Sequence, residues 1–151
     1  MKKMVLFVAV MALAMAGQSL AQAHPDFSGT WTLDAAKSDQ MGGGRMGGGA
    51  PAPMTVKQTA TELTQEVTRG ERTMTTVYKL DGSESVNRTG RGESKSTAQF
   101  DGGKLVIKTA MEGPNGPMAT TATWSLSADG KELTIVRSMP RGEMKQVYTR
   151  Q

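Results

Sequence analysis

Residues 94–111 read SKSTAQFDGGKLVIKTAM, two alternating segments on either side of an Asp-Gly pair. In the second segment Leu105 and Ile107 fall on one side of an extended chain, because successive side chains of a strand point to opposite faces. An Asp-Gly pair readily supplies the positive φ values that tight hairpin turns need. The stretch therefore predicts two antiparallel strands, Ser94–Phe100 and Lys104–Met111, joined by a hairpin.

The same pattern continues on both sides of this hairpin. Asp81-Gly82 and Asp129-Gly130 mark further turns, Ala60-Thr61 marks another, and no segment from Met54 onward has a helical period. The other predicted strands are Phe27–Leu33, Met54–Thr59, Glu62–Arg69, Glu71–Leu80, Met118–Leu126, Glu132–Met139 and Glu143–Arg150. A meander of about nine or ten strands is long enough to close on itself and remove its edges. We predict an all-β protein, an antiparallel up-and-down meander that closes into a barrel of about 8–10 strands.

Alternation also assigns the predicted core. Ala122, Trp124 and Leu126 share one side of their strand, as do Leu133 and Ile135 in the next. Leu, Ile, Val and Phe together make up only about one residue in eight after residue 23, which is few for a dense core. Threonine is abundant instead and can line a polar interior. A thin core of this kind favours a barrel over a tightly packed sandwich.

The first residues predict an export signal. Lys2 and Lys3 precede an apolar run, Met4–Gly17, and a small-x-small cleavage site follows at Ala21-Gln22-Ala23. The apolar run is about 14 residues long, shorter than the roughly 20 needed to span a bilayer. We predict a signal peptide at residues 1–23, cleavage between Ala23 and His24, and a mature protein that is periplasmic or secreted from a bacterium.

The remaining chain, residues 24–151, is long enough for one barrel domain and too short for two ordinary domains. It has no cysteine, so its stability must come from packing and sheet hydrogen bonds. Two of the 18 basic residues lie in the predicted signal, which leaves 16 against 14 acidic residues. No basic cluster stands out along the chain, so its charge gives no support to nucleic-acid binding.

Two segments lack an alternating pattern. Residues 41–53 are rich in glycine and methionine and predict a flexible loop; alternatively, the loop covers the barrel mouth, with Arg45, Met41 and Met46 touching a ligand. Its glycines do not fit a phosphate-binding loop, since no strand precedes them and no Gly-Lys-Ser/Thr ends them. The second segment, Glu112–Pro117, has two prolines around Asn115-Gly116 and predicts a surface turn.

The stretch Phe27-Ser28-Gly29-Thr30-Trp31-Thr32-Leu33-Asp34, followed by Lys37-Ser38, resembles the opening of lipocalin-like domains in small exported bacterial proteins. These domains belong to the wider calycin group and begin with Gly-x-Trp on the first strand. The resemblance implies that Trp31 closes one end of the barrel and that a basic residue near the end of the last strand packs across its indole. Arg150 is placed for that role, and Gly29 would permit a close backbone approach. The resemblance is sharp over residues 27–38 and architectural over the rest.

The predicted function is a small barrel that binds a small hydrophobic or amphipathic ligand between its inward-facing side chains. Alternation selects six candidate lining residues: Met74, Thr76, Tyr78, Phe100, Ile107 and Trp124. The alternative is a barrel with a filled core whose loops contact another envelope protein, for instance as an inhibitor. Trp31, Trp124 and Arg150 would be core and closure residues in either case.

No catalytic or metal-binding constellation stands out in the sequence. His24 is the only histidine and lies at the predicted mature terminus, so a Ser-His pair embedded in the fold is excluded. Asp81, Asp101 and Asp129 are each explained by the glycine that follows. His24 could bind copper through its amine and imidazole, but a stable site needs another strong ligand. The eight methionines after residue 23 suit Cu(I) but are scattered along the sequence. We therefore predict a binding protein that is not an enzyme and has no metal or cofactor.

Overall fold

The computed structural model describes residues 24–39, 52–89 and 92–151. The regular structure of these residues is entirely β. The strands are β1 (Gly29–Leu33), β2 (Met54–Gln58), β3 (Glu62–Arg69), β4 (Arg72–Lys79), β5 (Ser85–Thr89), β6 (Gly92–Asp101), β7 (Lys104–Gly113), β8 (Gly116–Leu126), β9 (Glu132–Met139) and β10 (Gly142–Arg150).

The ten strands form one antiparallel sheet in the order β4-β3-β2-β1-β10-β9-β8-β7-β6-β5. Each strand pairs with the next one along the chain, except that β4 and β5 do not pair and lie at the two ends of the sheet. In addition, β1 pairs with β10 as well as with β2. Pairing of the first strand with the last wraps the sheet into a nearly closed barrel. The predicted all-β antiparallel meander of 8–10 strands is confirmed.

The barrel closes between β4 and β5 through side chains. Val77 N donates a hydrogen bond to Asn87 Oδ1 at 2.9 Å, and Asn87 Nδ2 donates one to Val77 O at 2.9 Å. Lys79 N donates to Ser85 Oγ at 2.8 Å. We call this contact the seam. The turn predicted at Asp81-Gly82 is present, but within the described residues no backbone ladder joins the two strands that flank it, so they do not form a regular hairpin.

Two further differences from the sequence analysis concern strand bounds. The strand β5 was not among the predicted segments. Glu112–Pro117 is not a surface turn as a whole, because β7 and β8 continue through it and Glu112 pairs with Pro117. Only residues 114–115 lie outside strands. Pro117 lies near the start of β8, a position where a strand tolerates the loss of an N–H donor.

The core follows the alternation of the sequence. Leu105 and Ile107, Trp124, and Leu133 with Ile135 are at most 2% exposed, and Ala122 and Leu126 pack against them half-buried. The other members of the buried cluster are Phe27, Trp31, Met54, Val56, Leu63 and Ala98. The predicted core is therefore confirmed.

The two ends of the barrel differ in composition. One end has the connections at residues 59–61, 80–84, 102–103 and 127–131, and we call it the tryptophan end because Phe27, Trp31 and Trp124 fill it. The other has residues 34–39 after β1, residues 52–53 before β2, and the connections at residues 70–71, 114–115 and 140–141, and we call it the methionine end because Met74, Met118 and Met139 lie beside the last three connections.

The predicted signal peptide at residues 1–23 lies outside the described residues. So does the predicted loop at residues 41–53, apart from Ala52 and Pro53. In the described part of the chain no helix has the length and apolar character required to cross a membrane.

Candidate functional site

Three aromatic side chains fill the tryptophan end. Phe27, Trp31 and Trp124 are at most 1% exposed. Trp31 Nε1 donates a hydrogen bond to Phe27 O at 2.9 Å, so its polar atom is satisfied inside the core. The Phe27 ring meets Trp124 edge to face, with 5.8 Å between ring centroids. This end of the interior is therefore packed.

Arg150 covers the outermost of these rings. It is the register partner of Trp31 across β1 and β10, and its guanidinium carbon lies 4.6 Å from the centre of the indole. Arg150 Nη2 also donates to Asp26 O at 3.3 Å. Gly29 has a φ of 140°, a conformation that favours glycine, and a Cβ there would lie in ordinary van der Waals contact with Arg150 Nη1, at 3.5 Å. This is the contact that the resemblance implies.

Towards the methionine end the inner face of the barrel becomes polar. Ser96, opposite Thr109 in the register, shares a hydrogen bond of 2.8 Å with it. Thr76, Thr109 and Thr120 face inward by alternation but are only half-buried, so solvent reaches this part of the inner face. The other inward-facing polar residues here include Gln65, Ser85, Asn87, Ser94, Arg137 and Gln146.

Arg137 is a cation on this inner face. It follows Leu133 and Ile135 on the inward side of β9 and pairs with Ala122 and Met144 in the register. Its Nε atom is buried without a hydrogen-bond partner, and it forms no ion pair with any described carboxylate. Arg137 is half-buried, and its buried Nε atom leaves one hydrogen-bond donor of the guanidinium unused on the inner face. Arg137 is therefore the described side chain best placed to accept an anion.

Two tyrosines share the interior with Arg137. Burial raises the pKa of the Tyr78 hydroxyl on β4 and of the Tyr148 hydroxyl on β10. The positive charge of Arg137 opposes that rise in the pKa of both hydroxyls, so it lies close enough to act on each. Gln146, two residues before Tyr148, has a buried Oε1 atom without a partner. β4, β9 and β10 thus bring together a cation, two phenol groups and an amide.

The six predicted lining residues are distributed over different parts of the barrel. Tyr78 lies near Arg137, and Thr76 precedes it on the same face of β4. Met74 is 51% exposed at the methionine end. Ile107 and Trp124 belong to the packed core, and Phe100 packs against that core.

Sequence reasoning missed Arg137, Gln146 and Tyr148. The signal was present, because alternation from Leu133 and Ile135 places Arg137 on the inner face. A charged residue in an alternating strand ordinarily faces the solvent, which hides this signal.

Two depressions lie on the outer surface rather than inside the barrel. The first has a volume of about 390 Å³ and crosses β6 and β7. The second, of about 340 Å³, lies at the tryptophan end beside His24 and Asp81. Phe100 borders both. The residues that line the first are Thr97, Gln99, Phe100, Asp101, Val106 and Lys108.

His24 is exposed but held against the barrel. Its ring stacks on Phe100, with 4.0 Å between centroids and 10° between planes. Over residues 24–39, 52–89 and 92–151, no group of three or more His, Asp or Glu side chains is arranged to hold a metal ion.

The fold and the plugged end define a class by architecture: a nearly closed antiparallel meander barrel of ten strands. Among solved structures the chain is similar to one described as "REP1-NXSQ fatty acid transporter", with a TM-score of 0.64 and 16% sequence identity. The match covers 82% of this chain and 95% of that one. No protein-family model matches the sequence, and no curated protein sequence matches it. The likeness is one of fold.

Proposed function

We propose that this protein is an exported carrier whose barrel binds a small amphipathic molecule and holds the anionic end of that molecule at Arg137. The observation that carries the proposal is the unpartnered Nε atom of Arg137 on the inner face of β9. We further propose that the protein acts by binding alone, without catalysis.

An anion at Arg137 would satisfy groups that the protein leaves unpaired. A guanidinium matches a carboxylate with two parallel hydrogen bonds, and such charge-assisted bonds are stronger than neutral ones. A tyrosine hydroxyl is neutral at pH 7 even at its ordinary pKa of about 10, and burial raises the pKa of Tyr78 and Tyr148 further, so both hydroxyls can donate to the same anion. The geometry therefore favours a carboxylate over a neutral or cationic headgroup.

The surroundings of Arg137 favour a ligand with an apolar part. Met144 is its register partner on β10, and Ala122 is its partner on β8. Both side chains are apolar, and the core lies beyond them. The similar solved structure is described as a fatty acid transporter, which supports the same class of ligand.

The alternative, a barrel that serves only as a surface for a protein partner, requires an interior filled along its whole length. The half-buried threonines and the unpartnered polar atoms near the methionine end favour a ligand inside the barrel. Pockets for small molecules typically combine an apolar wall with a few polar anchors, as this interior does.

Calorimetric titration with dodecanoate and with the uncharged dodecanol tests the proposal. We expect Arg137→Gln to weaken dodecanoate binding about tenfold to a hundredfold, the value of a hydrogen bond to a charged group. Dodecanol binding should change little, because it places no charge at this position. Arg141→Gln is the matched control, since Arg141 is exposed in the turn after β9.

Equal dodecanoate affinity of the wild type and Arg137→Gln would contradict the proposal, as would equal weakening by Arg141→Gln. Circular dichroism checks that each variant keeps the β-fold. Native mass spectrometry of protein from its own envelope supplies an independent result: a retained small acid supports the carrier, and a co-purifying protein supports the alternative.

A further inference from the structure

The charged residues of the strands are divided by type between the two faces of the barrel wall. Within the described strands every Asp, Glu and Lys falls on the outer face by alternation and register. Of the arginines in these strands, only Arg88 faces outward. The inward-facing ones are Arg69, Arg72, Arg137 and Arg150. The inner face of the described strands therefore has positive charges and no negative charge that neutralises them.

Arg69 on β3 lies at the same level of the barrel as Tyr148 on β10. The register runs from Val67 on β3 through β2 and β1 to Arg150 on β10. Arg69 is two residues beyond Val67, and Tyr148 is two residues before Arg150, both towards the methionine end. β2 begins only at Met54, so at this level none of its strand residues separates Arg69 from β1 and β10.

Tyr148 has an arginine on each side. In the order of the sheet β3 and β9 lie on opposite sides of β10, with Arg69 on β3 and Arg137 on β9. Burial raises the pKa of the Tyr148 hydroxyl, and the positive charges of Arg137 and Arg69 oppose that rise. Both guanidinium groups thus lie close enough to act on the same hydroxyl. Neither arginine forms an ion pair with a described carboxylate.

Arg69 also lies opposite a second arginine. It is the direct register partner of Arg72 on β4, and like charges directly opposite each other in a sheet are destabilising. Both side chains are exposed, so water moderates this repulsion without removing it. An anion with more than one negative charge, bound beside Tyr148, would reduce the repulsion further.

We propose that the anionic end of the ligand is the dianion of a phosphate monoester, held beside the Tyr148 hydroxyl by Arg137 from one side and Arg69 from the other. This inference rests on the proposed carrier function and narrows its class of ligand. A phosphate monoester has up to two negative charges and three strong acceptor oxygens, enough for both guanidinium groups and the hydroxyl. A carboxylate has one charge, which a single guanidinium satisfies with two parallel hydrogen bonds. Arg69 is therefore the residue that distinguishes the two headgroups.

The charge of a phosphate monoester can be changed without changing the charge of the inner face. Its second pKa is about 6, so the headgroup is mainly a dianion at pH 8 and a monoanion at pH 5. Arginine and tyrosine keep their charge states over this range, and no Asp, Glu, Lys or His of the described strands faces inward. A change in affinity between the two pH values therefore measures the effect of the second negative charge.

Calorimetric titration with dodecyl phosphate and with its methyl diester, both below the concentration at which they form micelles, tests the inference. The diester has the same alkyl chain but one charge at both pH values. At pH 8 we expect the wild type to bind the monoester about tenfold more tightly than the diester, the lower value of a hydrogen bond to a charged group. At pH 5 the two affinities should be nearly equal. Arg69→Gln should remove the preference at pH 8 and leave dodecanoate binding nearly unchanged.

Two further variants separate the charge of Arg69 from its other contributions. Arg69→Lys keeps the positive charge and should retain most of the preference for the monoester. Arg88→Gln is the matched control, because Arg88 is exposed on the outer face of β5 opposite Glu93, and it should bind both esters as the wild type does. Circular dichroism checks that each variant keeps the β-fold.

Phosphorus NMR of the bound monoester provides a second measurement. Two neighbouring cations favour the dianion, so the second pKa of the bound phosphate should lie below that of the free ligand in the wild type. In Arg69→Gln the second pKa should lie closer to the free value, because one of the two cations is gone.

Equal affinity of the wild type for the monoester and the diester at pH 8 would overturn the inference. A preference that persists in Arg69→Gln, or that is lost in Arg88→Gln, would do the same. If dodecanoate binding still depends on Arg137, these results leave the carrier proposal intact. Dodecanoate binding that is absent, or that Arg137→Gln does not weaken, would overturn the carrier proposal and this inference together.

Discussion

Arg137 and Arg150 both have a buried Nε atom without a partner, but their guanidinium groups have different surroundings. Arg150 lies over the indole of Trp31 and donates to a backbone carbonyl, so contacts within the protein largely replace its hydration. Arg137 has two tyrosines nearby and no described carboxylate. One arginine is therefore a structural residue, and the other is the candidate for contact with a ligand.

At Trp31 and Arg150 we expect two substitutions to couple. Trp31→Ala should lower the free energy of unfolding by about 3–5 kcal/mol, because a buried ring leaves a cavity. Arg150→Ala should cost about 1–2 kcal/mol through the lost cation–π contact and the packing of its stem. The double variant should cost less than the sum, because each single change already removes the shared contact. Urea denaturation of the four proteins gives the coupling energy, and strict additivity would contradict a stabilising contact.

The Trp31–Arg150 contact could be predicted from the sequence, whereas the position of Arg137 inside the barrel could not. Trp31 has a local context, Gly29-Thr30-Trp31, that resembles a known barrel opening. Arg137 has no such context, and a cation in an alternating strand ordinarily faces water. Only the closed barrel, which places β9 opposite β4, reveals that Arg137 and Tyr78 share one interior.

At the scale of elements, the seam is where the barrel departs from a regular sheet. The side chain of Asn87 presents both an acceptor and a donor to Val77, and so replaces two ladder bonds of a neighbouring strand. Ser85 provides one more acceptor, for Lys79 N. Three hydrogen bonds that involve side chains join β4 and β5, in place of a backbone ladder. We therefore expect this part of the barrel wall to open most easily.

We expect Asn87→Ala to loosen the seam specifically. It removes both hydrogen bonds to Val77 and should lower the free energy of unfolding by about 1–3 kcal/mol, the cost of unsatisfied buried backbone groups. Amide hydrogen exchange should accelerate at Val77 and stay unchanged at Ile135, which lies in the centre of the sheet. Ser83→Ala, in the exposed turn before β5, is the control and should leave both rates unchanged. Unaltered exchange at Val77 in the Asn87 variant would refute the role of this side chain.

The composition of β5 explains why the sequence did not indicate it. Its inward-facing residues are Ser85 and Asn87, and its one large apolar residue, Val86, is 53% exposed. This reverses the usual pattern of apolar inside and polar outside, so alternation gave no strand signal. The other strands were predicted nearly to their observed bounds because their apolar residues face the core.

At the scale of the whole molecule, the packing and polarity of the interior change along the barrel axis. The tryptophan end is filled by rings and aliphatic side chains, and the inner face near the methionine end is polar and partly solvated. The small share of Leu, Ile, Val and Phe in the sequence follows from this division, because only part of the barrel needs an apolar filling. The tryptophan end thus provides most of the core packing, and the proposed binding function lies towards the methionine end.

For the complete chain we expect export to remove residues 1–23. Ala21 and Ala23 occupy the small-residue positions that a signal peptidase requires, so N-terminal sequencing of exported protein should begin at His24. An Ala23→Leu variant should slow processing and retain the longer chain, while Gln22→Leu, between the two positions, should be processed normally. A retained Met1 in the exported fraction, or a start beyond Asp26, would exclude this cleavage site.

The pairing of β1 with β10 also determines when the barrel can be finished. A ribosome delivers β1 early, but the strand that must cover its free edge and bring Arg150 to Trp31 is made last. Until then, strands β1–β4 and β5–β9 can pair only within two separate meanders, and β1 has an open edge. Contacts between residues so distant in sequence make folding slow. The order of synthesis therefore delays closure of the barrel until β10 has been made.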